Sequence, residues 1–354
     1  MKPLQFYFVG LTAITLALTG AHVPAAEPKA APASQPTTQP IERPGVNTIQ
    51  KEANALMPLI QGGFTRKFLA ATADLPRIEE RKAYVDPATR KYYSQKSYDK
   101  LDPSEREALQ PIAFSEGIYY MTKYGSPLAY SRVLETLDKH KVAIGPGWRV
   151  LDYGYGTVGH LRLLAINGLD VVGVDVDPFL GELYSEASDQ GVVSGRGGRD
   201  GHIKLVDGRW PGDASVKKAV GGKYDLIVSK NTLKNGYIHP ARPVDKRMLV
   251  DLGVSDEAFV TALSQSLKVG GHVIIYNICP APAAEDQPYI PWADGRCPFP
   301  REMWEKAGFE VVAFDEDDGA AVRAMGQALG WDAGQSRKEF DESLFAHYSI
   351  FRRT

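Results

Sequence analysis

The chain has 354 residues, enough for one large domain or two small ones. Its hydrophobic fraction of 44% and charged fraction of 24% are ordinary for a globular protein. The formal net charge is −2 and no long run of Lys and Arg occurs, so neither nucleic-acid binding nor a surface for anionic membranes is indicated.

The first 25 residues have the order typical of a secretory signal peptide. Lys2 precedes an apolar run over residues 6–18, and small residues then lead to a cleavage position after Ala25. This pattern predicts export, to a periplasm or out of the cell. An uncleaved membrane anchor is the alternative, because the run is near the lower limit for a span. A true start downstream of this segment would instead leave the protein in the cytoplasm.

The next segment, residues 26–45, consists largely of Pro, Ala, Ser and Thr and is expected to be an extended linker. Residues 46–130 are predicted to form a helical N-terminal extension. Apolar residues at helical spacing indicate a helix over 47–60. Asp102 and Ser126 each precede a proline, which is typical of a helix start.

Residues 131–354 form the predicted main domain, in which strands alternate with helices. The strands are apolar throughout, as a sheet covered on both faces requires. They are expected at residues 149–153, 171–175, 203–206, 224–229, 272–276, 309–314 and 345–351. The alternation predicts an α/β fold with a doubly wound, mostly parallel sheet.

A glycine-rich turn follows the first of these strands. Residues 152–159 read DYGYGTVG and lie between a strand and a helix, the context that gives such a turn meaning. Gly154 and Gly156 allow the backbone to bend tightly and to approach a ligand without a Cβ in the way. A glycine-rich turn with no ligand is the alternative.

Acidic residues end the next two strands of the domain. Asp175 lies about 20 residues beyond the glycines, where a carboxylate accepts both hydroxyl protons of an adenosine ribose. Asp177 is an alternative for that role, and either acid is also explained as a helix cap before Pro178. Asp207 is suited to bind the adenine amine, or it simply forms a turn before Gly208.

Asp152 separates two classes of nucleotide ligand. A carboxylate beside the glycine turn repels the pyrophosphate of a dinucleotide. The same carboxylate attracts the cationic amine of S-adenosylmethionine (SAM). The sequence therefore favours SAM. An NAD-dependent oxidoreductase is the alternative, supported by the glycine spacing and Asp175.

Three later stretches continue the pattern. They are KYDLIVSKNTL at 223–233, LKVGGHVIIY at 267–276 and WEKAGFEVV at 304–312. In the order and spacing of these stretches and of the glycine turn, the chain resembles the class I SAM-dependent methyltransferases from about residue 130 to residue 314. The resemblance implies a seven-stranded Rossmann-like sheet whose last strand is antiparallel. It also implies transfer of the sulfonium methyl group of SAM to a nucleophile.

The resemblance also implies a role for each candidate site residue. Asp152, Gly154 and Gly156 would hold the amino acid end of SAM. Asp175 would hold the ribose, and Asp207 the adenine.

The chain departs from the pattern of that family at two places. Val158 stands where many members have a third glycine, so a different turn is expected there. A helical stretch is expected between residues 314 and 345, where the family often has a short hairpin.

Residues 230–240 follow the fourth strand and are expected to line the site. His239 is the candidate general base, because its unperturbed pKa lies near neutrality, and a structural histidine is the alternative. Lys230 and Asn231 either orient a polar acceptor or lie on the surface. The expected methyl acceptor is a small molecule or an exported macromolecule. No metal-binding motif occurs, so no metal is predicted.

The sequence leaves three further alternatives open. Export favours a SAM-binding module that has lost catalysis, because SAM is a cytosolic metabolite. The tyrosine-rich residues 119–126 are either a lid over the cofactor or ordinary packing. Cys279 and Cys297 are either a disulfide or two free thiols. The oligomeric state is not indicated.

Overall fold

The structure is a computed structural model that describes residues 45–354. The predicted signal peptide (1–25) and all but the last residue of the predicted linker (26–45) lie outside the described residues. Among the described residues, no helix is both long and apolar enough to cross a bilayer.

The secondary structure follows the alternation expected from the sequence. The strands are β1 (Arg81–Val85), β2 (Tyr92–Ser94), β3 (Gln110–Phe114), β4 (Arg149–Tyr153), β5 (Asp170–Asp175), β6 (Gly191–Val193), β7 (Gly201–Asp207), β8 (Tyr224–Lys230), β9 (Leu267–Pro280), β10 (Phe309–Asp317) and β11 (Leu344–Arg353). The helices are α1 (Val46–Leu56), α2 (Gly63–Ala70), α3 (Gln95–Tyr98), α4 (Pro103–Glu107), α5 (Glu116–Tyr120), α6 (Tyr130–Lys139), α7 (Gly159–Ile166), α8 (Pro178–Leu183), α9 (Ala214–Val220), α10 (Asn235–Ile238), α11 (Asp256–Ser266), α12 (Arg301–Lys306), α13 (Gly319–Ala328) and α14 (Arg337–Asp341).

The main domain is built on one large sheet with the strand order β6-β7-β5-β4-β8-β9-β11-β10. The five strands β7, β5, β4, β8 and β9 are parallel to one another. Strand β11 lies antiparallel between β9 and β10. The predicted doubly wound, mostly parallel sheet with an antiparallel last strand is therefore confirmed. The short edge strand β6 was not predicted, because three residues are too few to show a pattern.

Different helices cover the two faces of this sheet. Val150 and Leu226 belong to one hydrophobic core together with residues of α6 and α7. Leu151 and Ile227 belong to a second core with residues of α11 and α12. Successive residues of a strand point to opposite faces, so strands that are apolar at every position are buried on both sides.

The N-terminal extension is only partly helical. Strands β2, β1 and β3, which follow α2 and precede α5 in the chain, form a separate antiparallel sheet. The sequence pattern did not show it, because β1 is short, begins with Arg81 and Lys82, and pairs with a segment that follows 25 residues later. Asp102 caps α4 in a capping box with Glu105, as the proline that follows it predicts.

The extension and the main domain share one hydrophobic core. Phe68 and Tyr120 of the extension belong to the same core as Leu161 of α7. Polar contacts join the two parts as well: the Ser94 hydroxyl donates to the Glu182 carboxylate at 2.7 Å. The extension is therefore an integral layer of the domain.

The cysteine alternatives are decided by the structure. Cys279 and Cys297 are both free and buried. Burial raises the pKa of the Cys297 thiol to about 12, which keeps it protonated at neutral pH. The helical stretch predicted between residues 314 and 345 is also confirmed, as α13 and α14.

Candidate cofactor site

The candidate residues lie at the carboxyl ends of adjacent parallel strands. Strand β4 has β5 on one side and β8 on the other, so the chain leaves β4 and β8 in opposite directions. In open α/β sheets such a switch point is where ligands bind. Asp152, Asp175 and Asp207 lie at or next to the ends of β4, β5 and β7, and Asp175 pairs in register with Asp207.

The glycine turn between β4 and α7 requires its glycines. Gly154 has a φ of 78° and Gly156 a φ of 57°, in the left-handed region that other residues avoid. A Cβ on Gly154 would lie 2.8 Å from the Thr232 Cβ and closer still to the Thr232 hydroxyl. The turn therefore packs directly against the segment that follows β8, across the switch point.

Asp175 is half-buried beside this turn. Its carboxylate accepts from the backbone N–H of Gly156 and from that of Asp177, each at 3.0 Å. Burial raises the pKa of Asp175 to about 6. Each carboxylate oxygen keeps acceptor capacity beyond its one backbone donor, which is what the two hydroxyls of a ribose need.

Asp177, the alternative ribose ligand, has another role. Its side chain caps α8 by accepting from the Phe179 N–H at 3.0 Å. It also accepts from the Tyr124 hydroxyl and pairs with the Lys123 amine, each at 2.7 Å. These partners favour Asp175 as the residue open to a ligand.

Asp207 is exposed, and its carboxylate forms no hydrogen bond or ion pair with any residue in the range 45–354. Partial desolvation of its carboxyl group and the charge of Glu182 raise the pKa of Asp207. Its Oδ2 lies 3.1 Å from the position that a Cβ on Gly181 would occupy. A free acceptor at this place fits the predicted contact with an adenine amine.

Asp152 lies beneath the turn and is only 1% exposed. Its Oδ2 is hydrogen-bonded to Nε2 of His160, and its Oδ1 has no hydrogen-bond partner within residues 45–354. Burial lowers the pKa of His160, so the ring is neutral and donates Nε2–H to Asp152. The ring of Tyr130 stacks on that of His160, with centroids 3.6 Å apart. Asp152 therefore keeps one free oxygen for a ligand.

Lys230 completes this buried cluster from the end of β8. The residue is 8% exposed, and its amine lies 5.4 Å from the centroid of the Tyr130 ring. Burial lowers the pKa of Lys230 to about 8, while the charge of Asp152 acts in the opposite direction. The sequence left open whether Lys230 lies on the surface, and the structure places it inside. The signal for this was the apolar run at residues 226–228 of β8, because Lys230 follows two residues later on the same face as Val228.

His239 is not a member of this buried cluster. It follows α10, is exposed, and its Nε2 lies 2.8 Å from Oδ2 of Asp256. Its catalytic role stays a prediction. The pair of Asp152 with His160 was not predicted from the sequence, where the two residues belong to different elements, β4 and α7.

Different tyrosines of residues 119–126 serve the two roles considered for this segment, packing in the core and bordering the site. Tyr119 and Tyr120 are buried and serve as packing. Tyr124 is 42% exposed and lies against Gly156, where a Cβ would be 2.8 Å from that of Tyr124. Thr122 donates to the carbonyl of Gly156 at 2.5 Å. The extension therefore holds the glycine turn in place, and Tyr124 borders the site.

Comparisons with known proteins concern the fold. No protein-family profile matches the chain, and no curated protein matches it. Among solved structures, a putative sarcosine dimethylglycine methyltransferase from Galdieria sulphuraria is 13% identical, with coverage of 74% of this chain and 91% of its own and a TM-score of 0.34. A TehB-like SAM-dependent methyltransferase from Corynebacterium glutamicum is 18% identical, with coverage of 64% and 98% and a TM-score of 0.29.

A third similar structure is phosphoethanolamine N-methyltransferase 2 from Haemonchus contortus, in complex with SAM. It is 12% identical, with coverage of 81% of this chain and 74% of its own and a TM-score of 0.32. Identities and TM-scores this low assign no activity and no residue role to this chain. The strand order, with β11 antiparallel between β9 and β10, gives the described part of the chain a Rossmann-like methyltransferase fold.

Proposed function

We propose that the protein binds SAM at the carboxyl edge of the large sheet and transfers its methyl group to an acceptor. The observation that carries this proposal is the set of carboxylates around the glycine turn: Asp152, Asp175 and Asp207 lie at the ends of adjacent strands. In this arrangement Asp175 accepts from the ribose hydroxyls and Asp207 from the adenine amine. Asp152, Gly154 and Gly156 hold the amino acid end.

The free oxygen of Asp152 favours SAM over a dinucleotide. A pyrophosphate offers no donor to a buried carboxylate, and its charge is repelled by one. The ammonium of SAM offers both a donor and a positive charge. An NAD-dependent oxidoreductase therefore fits this site less well.

Methyl transfer itself requires an in-line approach of acceptor and methyl, so positioning supplies most of the catalysis. A base is needed only for an acceptor that carries a proton at the working pH. His239 remains the proposed base for that case. Its exposed position favours a macromolecular acceptor, which reaches the surface, over a small molecule enclosed in a pocket.

Export is proposed from the signal-peptide pattern at residues 1–25. N-terminal sequencing of the mature protein tests it: a start just after Ala25 supports export, and an intact Met1 contradicts cleavage.

Isothermal titration with SAM, S-adenosylhomocysteine (SAH) and NAD⁺ tests the proposed function. We expect SAM and SAH to bind and NAD⁺ not to bind. Preferential binding of NAD⁺ would overturn the proposal in favour of an oxidoreductase. Binding of SAM without SAH release on a panel of acceptors would instead indicate a module without catalysis.

Asp175→Ala is expected to weaken SAH binding at least about a hundredfold, because two hydrogen bonds from ribose hydroxyls to a charged carboxylate are lost. Isothermal titration measures the change. The matched control is Asp170→Ala, at the opposite end of the same strand, where the side chain is 45% exposed. Equal SAH affinity of the Asp175 variant and the control would show that Asp175 does not contact the ligand.

SAH affinity is expected to fall as the pH is lowered through about 6, where Asp175 takes up a proton. The bound ribose requires the carboxylate, so below this pH a proton competes with SAH by up to about tenfold per pH unit. Because the folded pKa is raised, the unliganded protein should itself lose stability as the pH rises from about 4 to about 6. Titrations from pH 5 to 8 measure the binding effect, which Asp175→Asn should abolish. An SAH affinity that does not change with pH in the unmodified protein would contradict this prediction.

A further inference from the structure

Two buried polar atoms beside the glycine turn, Oδ1 of Asp152 and Nδ1 of His160, have no hydrogen-bond partner in the part of the chain that the structure describes. The neighbouring Lys230 is 8% exposed and contacts the Tyr130 ring through its amine. Buried polar groups in folded proteins are nearly always paired, so each exception needs an explanation. The unpaired acceptor on Asp152, with a buried lysine nearby, points to a ligand that supplies the missing partner.

The two charged members project from the same face of the sheet. Asp152 on β4 pairs in register with Val228 on the neighbouring strand β8. Lys230 lies two residues beyond Val228, and side chains two residues apart on a strand share a face. Parallel strands lie about 5 Å apart, so the carboxylate and the amine lie on the same face of the sheet, near each other and next to the switch point.

The opposite charges of this cluster are separated rather than paired. Asp152 is hydrogen-bonded to the neutral ring of His160, and the Lys230 amine lies within ion-pair distance of no carboxylate among residues 45–354. Because His160 is neutral, it supplies no counterion for Asp152. A buried anion and a buried cation that do not meet are complementary to a ligand that carries both charges a short distance apart.

We propose that Lys230 and Asp152 bind the two ends of an α-amino acid zwitterion, with Lys230 Nζ donating to its carboxylate and Asp152 Oδ1 accepting from its ammonium. This inference rests on the proposed function, in which the zwitterion is the amino acid end of SAM or SAH. Along the site the charges then alternate: Asp152, ligand ammonium, ligand carboxylate, Lys230. The Tyr130 ring adds a cation–π contact that holds the Lys230 amine in place.

The role of Lys230 predicts a selectivity that the nucleoside contacts do not produce. Asp175 and Asp207 contact groups that SAM shares with decarboxylated SAM and with 5′-methylthioadenosine. Decarboxylated SAM lacks only the carboxylate, and 5′-methylthioadenosine lacks the whole amino acid end. Lys230 should therefore favour SAM over both analogues.

Isothermal titration of the full protein with SAM, decarboxylated SAM and 5′-methylthioadenosine tests this. The unmodified protein is expected to bind SAM between about tenfold and about a hundredfold more tightly than decarboxylated SAM, the range for one charge-assisted hydrogen bond. Lys230→Met should abolish this preference while leaving the affinity for 5′-methylthioadenosine unchanged. The matched control is Lys268→Met near the amino end of β9, which should keep the preference.

Lys230→Arg separates the loss of charge from the loss of packing. Because it keeps a cationic donor, it should retain part of the preference for SAM, and it serves as the variant if Lys230→Met does not fold. Equal binding of SAM and decarboxylated SAM by the unmodified protein would overturn the role of Lys230, as would a Lys230→Met variant that weakens all three ligands alike. Failure of all three nucleosides to bind the unmodified protein would instead overturn the proposed function itself.

Discussion

Asp189→Ala is expected to lower the free energy of unfolding by about 3–5 kcal/mol, because it removes one partner of a buried ion pair. The Asp189 side chain is fully buried and accepts from both terminal nitrogens of Arg81, each at 2.8 Å. It also accepts from the Tyr119 hydroxyl and from the Glu186 N–H, each at 2.9 Å. The alanine variant leaves the Tyr119 hydroxyl, the Glu186 N–H and one terminal nitrogen of Arg81 without an acceptor, while the other nitrogen still donates to the Leu183 carbonyl.

The Arg81–Asp189 pair connects the N-terminal extension with the main domain. Arg81 lies on β1 of the extension, and Asp189 lies between α8 and β6 of the main domain. Since the two parts share a core, the variant should still unfold in a single transition, at a lower urea concentration. Urea unfolding followed by circular dichroism and by tryptophan fluorescence measures both properties.

The control for this substitution is Asp170→Ala. Asp170 is 45% exposed and pairs with Arg199 at 3.5 Å, so its loss should cost no more than about 1 kcal/mol. A similar, small loss in both variants would show that the Arg81–Asp189 pair does not join the extension to the domain.

Gly154→Ala is expected to destabilise the protein by about 2–5 kcal/mol and to abolish SAH binding. At a φ of 78° an alanine costs about 1–2 kcal/mol. The new Cβ also overlaps the Thr232 side chain, which adds about 1–3 kcal/mol of overpacking. The turn and the segment after β8 must then move apart, and the backbone loses its close approach to the ligand.

The control for Gly154→Ala is Gly270→Ala. Gly270 has a φ of 79°, and no atom lies within 4 Å of its Cβ position, so this variant carries the conformational cost alone. Thermal unfolding and SAH titration of the two variants measure the difference. Equal destabilisation, or unchanged SAH binding by Gly154→Ala, would contradict the close contact across the switch point.

The sequence showed those parts of the site that depend on local order along the chain. The glycine turn and Asp175 could be predicted because a strand, a turn and a helix follow one another within a few residues. The doubly wound, mostly parallel sheet of the main domain followed from the same alternation, and its antiparallel last strand from the resemblance of later stretches.

The parts that the sequence did not show depend on contacts between distant segments. The burial of Lys230 results from its place opposite Tyr130, which is 100 residues earlier in the chain. The small sheet of the extension depends on pairing between β1 and β3, and neither strand has a long pattern of its own. His239 was selected for its intrinsic pKa, a property that says nothing about its distance from the glycine turn.

The extension emerges as part of the site rather than as an attachment to it. Thr122 holds the carbonyl of Gly156, and Thr157 donates to the carbonyl of Tyr120 at 2.8 Å. The Tyr184 hydroxyl donates to the carbonyl of Tyr119 at 2.9 Å and accepts from the Val158 N–H at 3.0 Å. These bonds fix the turn together with the bond from Gly156 to Asp175, so the conformation of the proposed cofactor site depends on residues before the main domain.

A crystal structure of the complex with SAH tests the account most directly. It should show the ribose hydroxyls within about 3.2 Å of the Asp175 carboxylate, the adenine beside Asp207 and the amino acid end above Asp152. A nucleoside bound away from the glycine turn would contradict the account, as would a pyrophosphate seated on that turn in crystals grown with NAD⁺.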